Sequence, residues 1–157
     1  MIPLVRIGDL KHHVGAEVRL QGWLHNKRSS GKIQFLIVRD GSGFAQAVLA
    51  RAAVPEQTWA AAEQAGQESS LELTGRVRED KRAPGGYELE GTGLTVLQAV
   101  HDYPITPKEH GTAFLMENRH LWIRSQRQHA VLRVRHAVIK ATRDFLDDQG
   151  FTLVDTP

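Results

Sequence analysis

GWLHNKRSSGKIQFLIVRDGSGFAQ, residues 22–46, reads as three short strands joined by a basic loop and a tight Asp-Gly turn. Its first strand starts a little earlier. Over residues 17–26, Val18, Leu20, Gly22 and Leu24 fall on one face and Arg19, Gln21, Trp23 and His25 on the other. A period of two with one apolar face marks a strand with one buried side. RSSGK reads as a loop, and Ile33–Arg39, apolar and rich in β-branched residues, as the second strand. Asp40-Gly41-Ser42-Gly43 offers the residue types that accept positive φ in a hairpin turn, and Phe44–Ala50 follows as the third strand.

Working outward, the period then changes. Pro55 suits a first helical position, and Trp59, Ala62 and Gly66 recur at helical spacing behind it. Ser69–Arg78 alternates again as a fourth strand, EDKRAPGG is rich in turn formers, and Tyr87–Val100 makes a fifth strand. Three strands, one helix and two strands predict a mainly β fold, the five-stranded OB-fold barrel with its helix between strands three and four. The segment HDYPITPKEH is polar, and Pro104 and Pro107 forbid regular structure near them. The predicted organisation is therefore a barrel over 1–100, a linker over 101–113 and a second region over 114–157. That region holds a helix from about Gln126 to Gln149 with a wide apolar stripe, Val131, Val134, Val138, Ala141 and Phe145, flanked by Leu132, Ile139 and Leu146. Gly150 is a typical C-cap, and FTLVDTP begins an extended segment. So broad a stripe needs a covering surface, which a further domain or a second subunit supplies better than the barrel.

Bulk composition excludes several classes. There is no cysteine among 157 residues, so disulfide frameworks and thiolate metal sites are absent. The start, MIPLVRIGDL, lacks the apolar core of a signal peptide, and no window approaches the ~20 apolar residues of a membrane span. A cytoplasmic location without a membrane partner is expected. None of the eight histidines sits four residues from another, and no acid–base pair or nucleophile motif stands out, so neither a metal site nor a catalytic residue is expected here. The net charge is only +2, with 20 Lys+Arg against 18 Asp+Glu. Its distribution says more: Lys27, Arg28 and Lys32 gather in one place, and Arg76, Arg78, Lys81 and Arg82 in another. Each cluster adjoins a strand carrying aromatic or amide groups, which favours single-stranded nucleic acid over a merely solvated loop.

Six residues are candidates for that binding. Phe35 is a base-stacking aromatic if it faces outward, but Ile33, Phe35 and Ile37 are as apolar as Gln34, Leu36 and Val38 taken together, so the period does not place it. Gln46 is an amide in an apolar strand, and either a base edge or a neighbouring backbone would satisfy it. Arg28 suits a phosphate or a base face, Lys27 a phosphate, and Arg78 belongs to the second basic cluster. Glu88 is either a surface charge or an acceptor from a base amino group.

These residues resemble a known family. GWLHNKRSSGKIQFLIVRDGSGFAQAV is similar to the N-terminal anticodon-binding domain of class IIb aminoacyl-tRNA synthetases, the aspartate, asparagine and lysine group, and the likeness covers residues 1 to about 100. HGTAFLMENRHLWIRS resembles their hinge, and Arg119-His120-Leu121-Trp122-Ile123-Arg124 looks like the asparagine members rather than the aspartate ones. The last helix, Gly150-Phe151 and Pro157 resemble motif 1, which begins the α+β catalytic domain and builds a homodimer interface in that family. The resemblance implies that Phe35 stacks on an anticodon base, Gln46 reads the central uridine, Arg28 contacts the anticodon and Glu88 lies near it. It implies Phe151, Val154 and Pro157 at a dimer interface, and tRNA(Asn) as the partner. It also implies ATP and Mg2+ for the full enzyme, neither bound by this chain. Motifs 2 and 3 lie beyond Pro157 in the family, so the chain is expected to be the N-terminal part of a longer ligase, inactive alone. The aspartate members share the first two anticodon bases, and a stand-alone nucleic-acid-binding barrel is the other alternative.

Overall fold

A computed structural model describes residues 1–156. The chain forms two compact units, Met1–Tyr103 and Pro104 onward. The first contains β1 (Glu17–Ser30), β2 (Ile33–Arg39), β3 (Phe44–Ala50), α1 (Glu56–Gln64), β4 (Ser70–Glu79) and β5 (Tyr87–Gln98). The strands close into a barrel in the order β1-β2-β3-β5-β4, with α1 between β3 and β4 in the chain as the pattern predicts. Every neighbouring pair is antiparallel except β3 and β5, which run parallel.

β1 is the strand that makes closure possible. Its first half pairs with β4 and its second half with β2, and Trp23 sits at the crossover, paired with both Arg39 and Ser70. The chain must coil tightly there. A Cβ on Gly22 would stand 2.4 Å from the Arg39 carbonyl oxygen, so only glycine allows that approach. A bulge one step on, where His25 is the extra residue between Leu24 and Asn26, adds further twist.

Alternation sends Val18, Leu20 and Leu24, with Leu36, Val38, Leu49, Leu71, Leu73 and Leu89, into a closed apolar interior. Trp59 and Ala62 of α1 pack against this core, as do Ile7 and Leu10 of a 3-10 turn over Ile7–His12 that the sequence pattern did not announce. That turn is tethered to the β2–β3 connection: the Ile7 amide donates to Asp40 Oδ2 at 2.8 Å and the Gly8 amide to Ser42 Oγ at 2.9 Å. Burying each leucine is worth about 1.5–3 kcal/mol, and together these side chains hold the barrel closed.

Two expectations need correcting. RSSGK is not a loop: β1 continues to Ser30, and the connection is the two residues Gly31 and Lys32, with Gly31 at φ +59°. Before the long helix come α2 (Thr112–Glu117) and α3 (Arg119–Trp122), where the sequence pattern set no element. Residues 151–156 carry no regular secondary structure, because a strand needs a ladder partner and none is paired to them among the described residues. The long helix α4 spans Gln126–Asp148, close to its predicted extent. Ser125 caps its start through Oγ, and a Schellman motif ends it: Gly150 sits at φ +83°, with the Phe151 amide donating to the Leu146 carbonyl at 3.1 Å. The stripe along α4 is exposed, Val134 at 65% and Phe145 at 64%.

Candidate nucleic-acid interface

The two-residue Gly31–Lys32 connection fixes the register of β1 on β2, and that register decides which face of β2 looks outward. Ser30 pairs with Ile33, so Arg28 stands opposite Phe35. Phe35 in turn stands opposite Val48, and Val48 opposite Glu90. The next row crosses the sheet as Ile37, Gln46, Glu88 and Arg78. Leu36 and Val38 point into the core, and Gln34 goes with them at 3% exposure. Phe35 therefore lies on the outer face, half-buried, among charged and amide groups.

Five of the six candidates are tied together, Arg28 to Phe35 and both Gln46 and Arg78 to Glu88. The Arg28 guanidinium lies over the Phe35 ring, 4.1 Å from its centroid. Glu88 holds the second row in place: its Oε2 accepts from Gln46 Nε2 at 3.0 Å and its Oε1 from Arg78 Nη2 at 2.5 Å. Glu88 is buried beneath its partners, whereas the Arg78 side chain remains 49% exposed. The hydrogen bond to Glu88 raises the Arg78 pKa further above its ordinary value, so the guanidinium is a fixed positive charge. Glu88 thus meets neither of its sequence readings simply: it is no surface charge, and both oxygens already serve donors of this chain.

Arg28, Phe35, Gln46, Val48, Glu88 and Arg78 line a groove of about 360 Å3, with Ile33, Asp80 and Arg82 at its edge. Asp80 and Arg82 escaped the sequence reading as a pair. Arg82 donates from Nε and Nη2 to the two Asp80 oxygens at 3.3 and 3.2 Å, and these bonds hold the Asp80 carboxyl below the usual range. The signal that could have found them is the turn itself: an acid two residues before an arginine, in a loop beside the amide-bearing strand. Val48 was equally findable, as the outward residue two positions from Gln46.

Lys27 lies apart from this groove. It is a strand residue, and alternation turns it away from Arg28 toward α1. Its Nζ donates to the carbonyl oxygen of Ala62 at 3.2 Å and to that of Glu63, the last turn of α1. A cation there answers unpaired carbonyls and the negative end of the helix. Burial lowers the Lys27 pKa, with Glu63 partly offsetting it. The structure does not bring Lys27 to the groove. Phe151 and Val154 are exposed, and Pro157 lies outside the described residues.

A second groove of about 520 Å3 lies around Trp23, Leu4 and Leu97, with Arg6 and Asp40 as its charged lining. Trp23 is 42% exposed, with the Arg39 guanidinium 5.5 Å from its ring. Arg39 is held by Glu68. The first groove, with three arginines, two carboxylates, an amide and an aromatic, is the one equipped for single-stranded nucleic acid: stacking face, hydrogen-bonding edge and cations within one strip of sheet.

An OB-fold nucleic acid binding domain model matches residues 18–97, and a model of class II tRNA synthetases (D, K and N) matches residues 111–157. The chain belongs to the family of OB-fold nucleic acid binding domains. It is 53% identical over 156 residues to an asparagine–tRNA ligase of Sorangium cellulosum, covering 99% of this chain and 35% of that protein. An asparagine–tRNA ligase of Chloroflexus aurantiacus is 48% identical over 157 residues, covering 100% of this chain and 36% of its own length. The crystal structure of the asparaginyl-tRNA synthetase of Pyrococcus horikoshii complexed with asparaginyl-adenylate superposes with a TM-score of 0.90 at 38% identity, covering 100% of this chain and 37% of that one. The chain thus spans about a third of the length of these synthetases. Its match to them begins in the barrel and runs through the helical unit, as the resemblance at Gly22–Gln46 and Arg119–Arg124 implied.

Proposed function

We propose that this chain is the anticodon-reading part of an asparagine–tRNA ligase. The whole protein attaches asparagine to tRNA(Asn) at the expense of ATP, and the outer face of the barrel selects the tRNA. The observation that carries the reading is the outward row Ile37, Gln46, Glu88, Arg78 beside Phe35, on a chain that is 53% identical to a ligase of that name. An anticodon loop splayed over this strip places one base against Phe35, where stacking is worth ~1–3 kcal/mol. The incoming base takes the position of the Arg28 guanidinium, which turns to the adjoining phosphate. Gln46 meets the edge of the central base of the GUU triplet, and Arg78 and Arg82 supply charge to the backbone. A wrong base leaves buried polar groups unpaired, which is how a binding site rejects it.

ATP and Mg2+ serve the amino-acid activation of the whole ligase under this reading, and no step of it is assigned to this chain. The exposed stripe of α4, continued by Phe151 and Val154, serves the homodimer interface under this reading. No helix of the described residues is long and apolar enough to cross a membrane.

The test is binding of this chain to anticodon stem-loops carrying GUU, GUC and an unrelated triplet, at two salt concentrations. Salt-sensitive binding that favours GUU is the expected result. Equal affinity for all three triplets overturns the reading in favour of a general nucleic-acid barrel.

A further inference from the structure

Resting on that reading, a role for Lys27 follows from the way the end of β1 is held. β1 leaves β4 early. Their last pair is Trp23 with Ser70, and the last ties on that side join Leu24 to the backbone of Glu68 and Ser69. From Asn26 to Ser30 the strand has β2 on one edge and, among the described residues, no strand on the other. A strand paired on one edge only opens more readily than one held on both. Yet this stretch carries Arg28, which lies over the Phe35 ring and forms one wall of the groove.

The two-residue Gly31–Lys32 connection makes Ser30 and Ile33 a hydrogen-bonded pair, and alternation makes Arg28 and Phe35 the next one. The Lys27 N–H therefore turns to the free edge. There the neighbouring Asn26 Oδ1 accepts it at 2.8 Å, which satisfies the edge locally but ties it to nothing beyond. The Lys27 side chain makes the distant tie. Its Nζ donates to the carbonyl oxygens of Ala62, at 3.2 Å, and of Glu63, 35 and 36 residues on. Those carbonyls end a helix that is fixed in the core through Trp59 and Ala62, 2% and 0% exposed. Beside Lys27 on the inner face of the hairpin, Gln34 is buried with its Nε2 unpartnered, and an unpaired buried amide favours opening to water. We infer that Lys27 is a positioning residue for RNA binding: it braces the free-edged end of β1 against α1 and so keeps Arg28 and the β1 wall of the groove in place before RNA arrives. Lys27 itself meets no RNA. A wall in place only part of the time lowers the apparent affinity by that fraction.

The test takes the full 157-residue chain well below its melting temperature and reads two things: amide hydrogen exchange without RNA, and affinity for a GUU stem-loop at two salt concentrations. In Lys27→Met the Arg28 and Ser30 amides exchange faster, while those of the β4–β5 ladder do not. Affinity falls by roughly three- to tenfold, with the salt dependence unchanged. Lys27→Arg keeps a cation within reach of the carbonyls and restores both readouts. Val18→Ala opens the core at a residue that lines no part of the groove, so it lowers the melting temperature and keeps the affinity. Faster exchange at Arg28 in K27M with affinity unchanged overturns the inference and leaves the proposed function intact, as does unchanged exchange. An affinity loss in V18A equal to that in K27M overturns it, since general loosening would then suffice. A weaker salt dependence in K27M overturns it too, because Lys27 would then meet a phosphate. Failure of the unaltered chain to bind the GUU stem-loop overturns the inference and the proposed function together.

Discussion

Phe35 and Leu36 are neighbours on one strand, both apolar, and they do opposite things. Leu36 is fully enclosed in the barrel with Leu20, Leu49 and Leu89. Phe35 lies on the other side of the same ribbon, under a guanidinium and beside an amide, a carboxylate and two further arginines. The inner face closes a shape, and the outer face keeps polar and aromatic chemistry within reach of a ligand. A period of two divides stability from recognition, one residue at a time.

Substitutions at the two positions should therefore separate cleanly. Leu36→Ala empties a packed site and should lower unfolding free energy by ~2–5 kcal/mol in a denaturant titration, with stem-loop affinity nearly unchanged for the molecules still folded. Phe35→Ala should do the reverse, weakening anticodon-loop binding by ~1–3 kcal/mol in a fluorescence titration with little change in melting temperature. A large drop in melting temperature for Phe35→Ala would erase the contrast. Gln46→Ala sharpens it further. It should narrow the preference for central U by up to ~1–3 kcal/mol, while unfolding is little affected.

Smaller effects follow at β1, where Lys27 and Arg28 divide in the same way. Lys27→Met removes the cation from the end of α1 and should cost about 0.3–1 kcal/mol of stability, read by thermal melting, without changing the salt dependence of RNA binding. Arg28→Met should leave the melt alone and flatten the salt dependence. The smallest effect is one of pH. Burial lowers the His25 pKa below 6.5, with Glu68 opposing and Arg39 adding to the shift, and the ring packs edge-on against Phe44 with centroids 5.0 Å apart. The unfolded chain then binds the proton more tightly than the folded one. This contribution to stability is complete above pH 6.5 and falls away as the pH drops through the lowered folded value. Melting at pH 7.5 and 5.5 should show a slightly smaller loss on acidification in His25→Asn than in the unaltered chain. An equal loss in both would assign the acid sensitivity elsewhere.

How far all this was legible in the sequence differs from place to place. The strand order of elements, the helix after β3 and the long α4 follow from period and turn chemistry, because one-sided burial writes a period into the residues. The outward face of Phe35 was not legible, since both faces of β2 are apolar and a glutamine, Gln34, goes inside. What settles it is the Gly31–Lys32 turn, and Ser29 and Ser30 hid that turn by looking like loop when they are the polar end of a strand. Lys27 misled for a related reason: a charge cluster in sequence is split between two faces once its residues are strand. Gln46 needed a partner, and the chain showed that it needed one; that the partner is Glu88, a strand away and 42 residues on, depends on β3 meeting β5 in parallel. α2 and α3 are too short to show a helical period.

The most direct test of the claim that the outer strip of β2, β3 and β5 reads an anticodon is a map of backbone amide shifts as a GUU stem-loop is added. The account predicts that the largest changes fall on Arg28, Phe35, Gln46, Val48 and Glu88, with the Trp23–Leu97 groove and α4 quiet. Changes centred on Trp23 and Leu97, or along α4, with the Phe35 strip unmoved, would contradict it.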